Sequence, residues 1–214
     1  MRYLTIALTK GRLAKKTLEM FEKIGITCEE MKDPDSRKLI FVNEELGLRF
    51  FLAKGPDVPT YVEYGAADIG VVGKDTIMEE GRRLYEVLDL GFGKCRFALA
   101  ALKGTDFYEG YHTRRIASKY VNVAKSYFEK KNMDVDVVKI EGSVELAPVL
   151  GLSDAIVDIV ETGTNLKENG LTVVEDICPV SARLIVNIAS MKLRKAEIDS
   201  LIEQIEADVR RRKA

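Results

Sequence analysis

The chain has no tryptophan, a single histidine, three cysteines and five prolines in 214 residues. Each scarcity removes a class of function. Cys28, Cys95 and Cys178 are odd in number, far apart and without Cys-x-x-Cys spacing, so they build neither a disulfide framework nor a zinc site. Thiols used this way suit a reducing cytoplasm. His112 sits in the loop-like stretch Tyr108-Glu-Gly-Tyr-His-Thr113 with no sequence neighbour that would make it a catalytic base, and it reads as incidental. With no Gly-x-Ser-x-Gly elbow and no Cys/His arrangement, covalent acyl chemistry has no support. No apolar run is long enough to cross a membrane. The opening Met-Arg-Tyr-Leu-Thr-Ile-Ala-Leu-Thr-Lys-Gly has no small-residue cleavage site, so no signal peptide is expected. Thirty-three basic residues stand against 34 acidic ones, for a net charge of −1, and nothing in that balance points to nucleic acid. The basic end Arg210-Arg211-Arg212-Lys213 closes a helix, where cations suit both dipole and solvent.

What the chain does have is an α/β grammar, strand-like and helix-like segments in alternation. Leu4–Leu8 reads as a strand and Arg12–Ile24 as a helix with Leu13, Leu18, Phe21 and Ile24 on one face and Gly25 as its stop. Leu39–Val42 and Leu48–Ala53 read as paired strands. Asp57 begins a short helix with Pro59 in its first turn, and Asp68–Val72 is a further strand followed by a helix ending at Gly81. After the strand Tyr85–Leu88, the glycine-bearing segment Leu90-Gly-Phe-Gly93 marks a joint. A second run then gives strands at 95–101, 115–118 and 135–140 and helices at 119–131 and 145–150. The chain recrosses near Cys178-Pro179, with a strand over Ala182–Ile188 and a terminal helix whose Ile198, Leu201, Ile202, Ile205 and Val209 form an apolar stripe. Residues 1–90 with 180–214 therefore make a first lobe and 91–179 a second. Gly65-Ala-Ala-Asp68 and Gly151-Leu-Ser-Asp154 each precede a strand, a glycine loop and a helix, which suggests two similar lobes with loops facing a common cleft.

The most informative stretch runs from Asp154 to Gly170. Ala155–Val160 is a short apolar run rich in β-branched residues, suited to a buried strand. Asp158 is out of place inside such a strand, because a buried carboxylate needs partners, and ligand hydroxyls would serve. Glu161-Thr162-Gly163-Thr164-Asn165 then offers hydroxyls, an amide and a glycine ahead of a short helix. Gly163 lets backbone approach a ligand closely, and N–H groups at a helix start favour an anion. The residue types fit a phosphate monoester; they also fit an ordinary strand–turn–helix.

Glu145, Gly151, Ser153, Ile156, Asp158, Ile159, Thr162, Gly163 and Leu166 resemble, position by position, the signature of ATP phosphoribosyltransferases, the first enzymes of histidine biosynthesis. The resemblance covers most of the chain. It implies a two-lobed α/β fold similar to type II periplasmic binding proteins, with mixed sheets and a central cleft. It implies that Asp158, Glu161, Thr162, Gly163, Thr164 and Asn165 bind the phosphoribosyl group of phosphoribosyl pyrophosphate. Asn165 stands where the family usually has threonine, and still donates and accepts. Lys10-Gly11-Arg12-Leu13 looks like the family's N-terminal substrate motif, with the cations of Lys10 and Arg12 facing phosphates. Lys54 opens a segment that more usually begins with arginine, keeping the charge and losing the fork. Asp57 is either a substrate contact or a helix cap. Gly70-Val-Val-Gly-Lys-Asp75 also matches and would line the first-lobe side of the cleft. Arg96, in Gly93-Lys-Cys-Arg, would neutralise a diphosphate or triphosphate, and Glu141 would touch ribose or magnesium.

The activity so implied is the condensation of ATP with phosphoribosyl pyrophosphate to phosphoribosyl-ATP and pyrophosphate, with Mg2+ as cofactor. The chain ends soon after its terminal helix, as the family's short form does. That form works in a hetero-oligomer with a regulatory subunit resembling the catalytic part of histidyl-tRNA synthetase. The alternative is a cytoplasmic two-lobed protein that binds an anionic small molecule without catalysis.

Overall fold

The structure, a computed structural model, describes residues 3–32 and 37–213. In chain order it has β1 (Leu4–Thr9), α1 (Arg12–Lys23), β2 (Ile40–Asn43), β3 (Leu48–Ala53), α2 (Asp57–Glu63), β4 (Ile69–Gly73), α3 (Lys74–Glu80) and β5 (Tyr85–Asp89). Next come β6 (Cys95–Leu102), β7 (Arg114–Ser118), α4 (Val121–Lys130), β8 (Val135–Lys139), α5 (Leu146–Val149), β9 (Ala155–Val160), α6 (Thr164–Glu168) and β10 (Leu171–Val180). The last elements are β11 (Ala182–Val186), α7 (Ile188–Leu193) and α8 (Lys195–Lys213). They fall into two compact units, Met1–Gly93 with Ser181–Ala214, and Lys94–Val180.

The first unit is built on a six-stranded sheet of order β2-β3-β1-β4-β11-β5. β1 pairs parallel with β3 and β4, while β11 enters from late in the chain and pairs antiparallel with β4 and β5. β1 is apolar on both faces because both are covered. Leu4, Ile6 and Leu8 join a core with Met20 and Phe21 of α1, and Ala7 faces Val58 and Val62 of α2. The stripe on α8 closes the first of these cores, with Ile198, Leu201, Ile205 and Val209 buried. α2 lies so close on β4 that a Cβ on Gly70 would meet Val62 Cγ2 at 2.8 Å and Val58 Cγ1 at 2.9 Å. That glycine is a packing residue inside the sheet.

The second unit holds a five-stranded sheet of order β10-β6-β9-β7-β8. β7 runs parallel to β8 and β9, and β6 is antiparallel to β9 and β10. β9 alternates between two covered faces, Ala155 and Val157 toward Phe97 and Phe128, Ile156 and Val160 toward Ala147 and Leu166. Pro179 is tolerated in β10 because that strand is an edge.

The sequence echo is a repeated structural device. α2 and α5 each run out to a glycine in left-handed conformation, Gly65 and Gly151, both with φ 72°. Three residues on, Asp68 donates its N–H to the Thr5 carbonyl at 2.9 Å and Asp154 donates to the Arg115 carbonyl at 2.8 Å. Each carboxylate then accepts the N–H of that same residue, Thr5 at 2.9 Å and Arg115 at 2.7 Å. Each aspartate thereby clamps the start of its own strand to the start of the parallel neighbour. Asp68 is buried and also accepts from the Ser190 hydroxyl (2.6 Å) and Arg194 (3.3 Å). Asp154 is half-buried, beside His112 at 3.3 Å and Arg114 at 3.7 Å. His112 therefore has partners, contrary to the sequence reading of it as incidental.

Two further expectations are corrected. Pro56 occupies the N-cap position of α2, so Asp57 is the first helical residue and not a cap. The strand that begins at Ala182 ends at Val186, because Asn187 turns the chain by accepting the Ser190 N–H and starting α7.

Removing the Asp68 carboxylate leaves the buried Thr5 N–H and the Ser190 hydroxyl without their acceptor and takes one of the partners of Arg194. Asp68→Ala should cost about 3 kcal/mol, read as a lowered urea midpoint; a loss no larger than that of Asp154→Ala would contradict the ranking. The Asp154 carboxyl is pushed up by burial, but the Arg115 N–H, His112 and Arg114 outweigh that and hold it below its usual value. A depressed carboxyl stabilises the fold above its unfolded pKa, roughly 4, and the contribution is lost as pH falls through the folded value. Asp154→Asn should thus be less stable than the parent at neutral pH, and the gap should close in acid. A gap that stayed constant down the titration would show that the charge is not what holds the clamp.

Candidate functional site

Parallel strands gather their carboxyl ends at one edge of a sheet, and α/β proteins place ligands there. In the second unit that edge carries the ends of β7, β8 and β9 and, because β6 runs the other way, its beginning. Arg96, Glu141 and the loop Glu161–Asn165 are all brought there. Gly163 has φ 79° and precedes α6, and a Cβ on it would meet only Val160 Cγ1 at 3.8 Å. The demand for glycine is conformational, not spatial. The Thr162 and Thr164 hydroxyls lie 3.0 Å apart and, like Asn165, are exposed. α6 has five residues, so its dipole is short and the hydroxyls and N–H groups are the main anion donors.

Asp158 projects from the face of β9 shared with Ile156 and Val160, opposite Ala98 of β6. It is half-buried, not buried as expected, since a small alanine stands opposite it. Arg96 lies on the same face and its Nε donates to Asp176 Oδ1 at 2.6 Å. Glu141 is exposed and bonded to Lys139 at 2.8 Å, which with Lys119 holds its carboxyl below the usual value.

The first unit gathers the ends of β1, β3 and β4 in the same manner. The Lys10 N–H donates to the Ala53 carbonyl at 2.9 Å, tying the turn after β1 to the loop that begins at Lys54. Lys10, Lys54 and Asp57 line a groove of about 560 Å³. Gly11, with φ 88°, and Arg12 start α1 at this edge and do not line the groove. Arg49, Phe51 and Tyr61 also line it and were not singled out from sequence. Arg49 donates to Thr5 Oγ1 at 3.0 and 2.9 Å, and the two rings meet edge-on at 5.0 Å. The available signal was a charge inside an apolar strand, the same signal that marked Asp158.

The profile of the HisG family, ATP phosphoribosyltransferase, matches residues 54–207. An ATP phosphoribosyltransferase of Lachnoclostridium phytofermentans is 63% identical over 207 residues, covering 96% of each chain. One from Clostridium botulinum is 59% identical over 212 residues, covering 98% of this chain and 100% of its own. Among solved structures, the ATP phosphoribosyl transferase (HisG:HisZ) complex from Thermotoga maritima contains a chain 34% identical with a TM-score of 0.84, covering 97% of this chain and 99% of that one. Its fold, like the two mixed sheets described above, is similar to that of type II periplasmic binding proteins. The chain belongs to the ATP phosphoribosyltransferase family.

Proposed function

We propose that this chain transfers the phosphoribosyl group of phosphoribosyl pyrophosphate to N1 of the adenine of ATP, releasing pyrophosphate, as the first step of histidine biosynthesis. The observation that carries the assignment of the site is the exposed loop after β9, where two threonine hydroxyls flank a left-handed glycine. The donor's 5-phosphate fits those hydroxyls, the Asn165 amide and the loop N–H groups. Asp158 and Glu161 are suited to ribose hydroxyls as acceptors. Lys10 and Arg12 in the first unit, with Gly11, Lys54 and Asp57 near them, and Arg96 in the second unit would supply cations at strand ends for polyphosphate.

The ring nitrogen attacks C1 of the ribose as the C1–oxygen bond to pyrophosphate breaks, with inversion and without a covalent enzyme intermediate. The side chains then need only orient the reactants and stabilise charge on the leaving group. Among the described residues no three His, Cys, Asp or Glu side chains group as metal ligands. Magnesium usually takes one or two carboxylates plus substrate phosphates, and Glu141, Glu161 and Asp158 at the strand ends are donors of that kind. When bound it would neutralise diphosphate charge.

The solved relative comes from a HisG:HisZ complex, and we infer that this chain likewise assembles with a second, regulatory subunit, one resembling the catalytic part of histidyl-tRNA synthetase. Three cysteines, none in a disulfide, favour a cytoplasmic location, and no helix among the described residues is long and apolar enough to cross a membrane.

Chain and partner mixed with ATP, phosphoribosyl pyrophosphate and magnesium should yield phosphoribosyl-ATP. No product across pH and magnesium, with calorimetry showing tight binding of an amino acid alone, would favour a binding protein instead. Gly163→Val forces a branched side chain into left-handed backbone, at a cost of roughly 1–2 kcal/mol. It should raise the KM for phosphoribosyl pyrophosphate sharply with the circular dichroism spectrum unchanged; a near-normal KM would remove the loop from the site. Thr164→Ala should be milder, losing one hydrogen bond to a charged phosphate, about 1.5–3 kcal/mol in donor binding.

A further inference from the structure

β10 is an edge strand, yet its pairing with β6 slips twice in close succession, between Val173 and Glu175 and again between Asp176 and Cys178. Bulges of this kind turn side chains to new directions and concentrate beside active sites. Glu175 and Asp176 are the two paired residues set between the slips, and Asp176 is the one that meets Arg96. Its register places it opposite Ala98, which on its other side faces Asp158 of β9. Arg96 lies two residues along β6 from Ala98 on that same face, and its Nε donates to Asp176 Oδ1 at 2.6 Å.

The geometry of the bond matters more than its strength. The side chains of Arg96 and Asp176 are 36% and 60% exposed, so the pair adds little to stability. A guanidinium presents a second edge through its two terminal nitrogens, and that edge fits an oxyanion with two parallel hydrogen bonds. The bond to Asp176 is made through Nε. It holds the guanidinium by one corner and does not use the terminal pair. An unpaired carboxylate at this edge would repel a diphosphate; one bound to Arg96 has its charge balanced.

We propose that Asp176 is a positioning residue for the transfer, holding Arg96 by Nε so that its terminal nitrogens meet the diphosphate of the phosphoribosyl donor. The proposal rests on the phosphoribosyl-transfer reading and adds to it a residue on a strand outside every motif that the sequence singled out.

Steady-state kinetics on the reconstituted protein, with Asp176→Ala, Asp176→Asn, Arg96→Ala and the double alanine variant, test it. Asp176→Ala should lower kcat roughly tenfold, leave the KM for ATP and the melting temperature unchanged, and weaken pyrophosphate binding measured by calorimetry. Asp176→Asn keeps an oxygen for Nε and should recover most of the rate. In the Arg96→Ala background the second alanine should change nothing. The proposal is overturned if both Asp176 variants behave like the parent, or if both bind pyrophosphate more tightly, since the carboxylate would then act only by repulsion. Loss of turnover in Arg96→Ala with a normal Asp176→Ala would sink the positioning role alone and leave the transfer reading standing. Were the parent to form no phosphoribosyl-ATP, the transfer reading would fail, and unchanged pyrophosphate binding in Asp176→Ala would still decide against the positioning role.

Discussion

Parallel strands have no hairpin to set their register, so something else must fix where each begins. In the first unit the Asp68 carboxylate does this. It joins the first turn of β1, the entry to β4, the Ser190 hydroxyl of α7 and Arg194 in one buried cluster. Asn187 extends that cluster by donating its N–H to the Asp68 carbonyl and its amide to the carbonyl of Val62 at the end of α2. Once the starts of β1 and β4 are level, their far ends are level too, and the turn carrying Lys10 comes beside the end of β4 at Gly73. The carboxyl edge of these two strands is thus set by a carboxylate at their opposite end.

The second unit uses the same clamp under milder conditions. Asp154 meets the backbone of Arg115 in the way Asp68 meets Thr5, but it is half-buried and leans on Arg114, which opens β7, and on His112 from the loop before it. A buried carboxylate needs an arginine held at close quarters, and a half-exposed one shares its solvation with water. The two clamps therefore differ in their sensitivity to loss although their backbone geometry is alike. The repeat of Gly-x-x-Asp is explained by it, since the left-handed glycine ends a helix in time for the aspartate to reach across.

Much of this was legible in the sequence because it is local. Periodicity gave β1, α1, β9 and the stripe on α8, and glycines at the left-handed positions of residues 25, 81 and 163 marked the stops and the loop. What escaped is non-local or locally ambiguous. The apolar run from Ala182 onward continues through Ile188, and only the bond from Ser190 to the Asn187 side chain reveals that α7 has begun. β10 gave no clean alternation, as its two register slips break the period on which such a reading depends. Asp57 looked like a cap because its type suits that role, yet Pro56 precedes it there. Arg96 was identifiable as a site cation by resemblance, whereas its partner is 80 residues away and could only come from the fold.

That difference bears on how charge is used. Lys10 and Lys54 are point charges on flexible stems at exposed turns, able to follow a polyphosphate as it moves. Arg96 is anchored by one nitrogen to an edge strand bent on either side of its partner. A leaving diphosphate gains most from donors already in place when its charge develops, because nothing then has to reorganise. In the proposed reaction the exposed lysines would serve binding and the held arginine the transfer. A lysine at position 54 in place of the family's more usual arginine fits the proposed division, since a group that only attracts a polyphosphate can give up the fork.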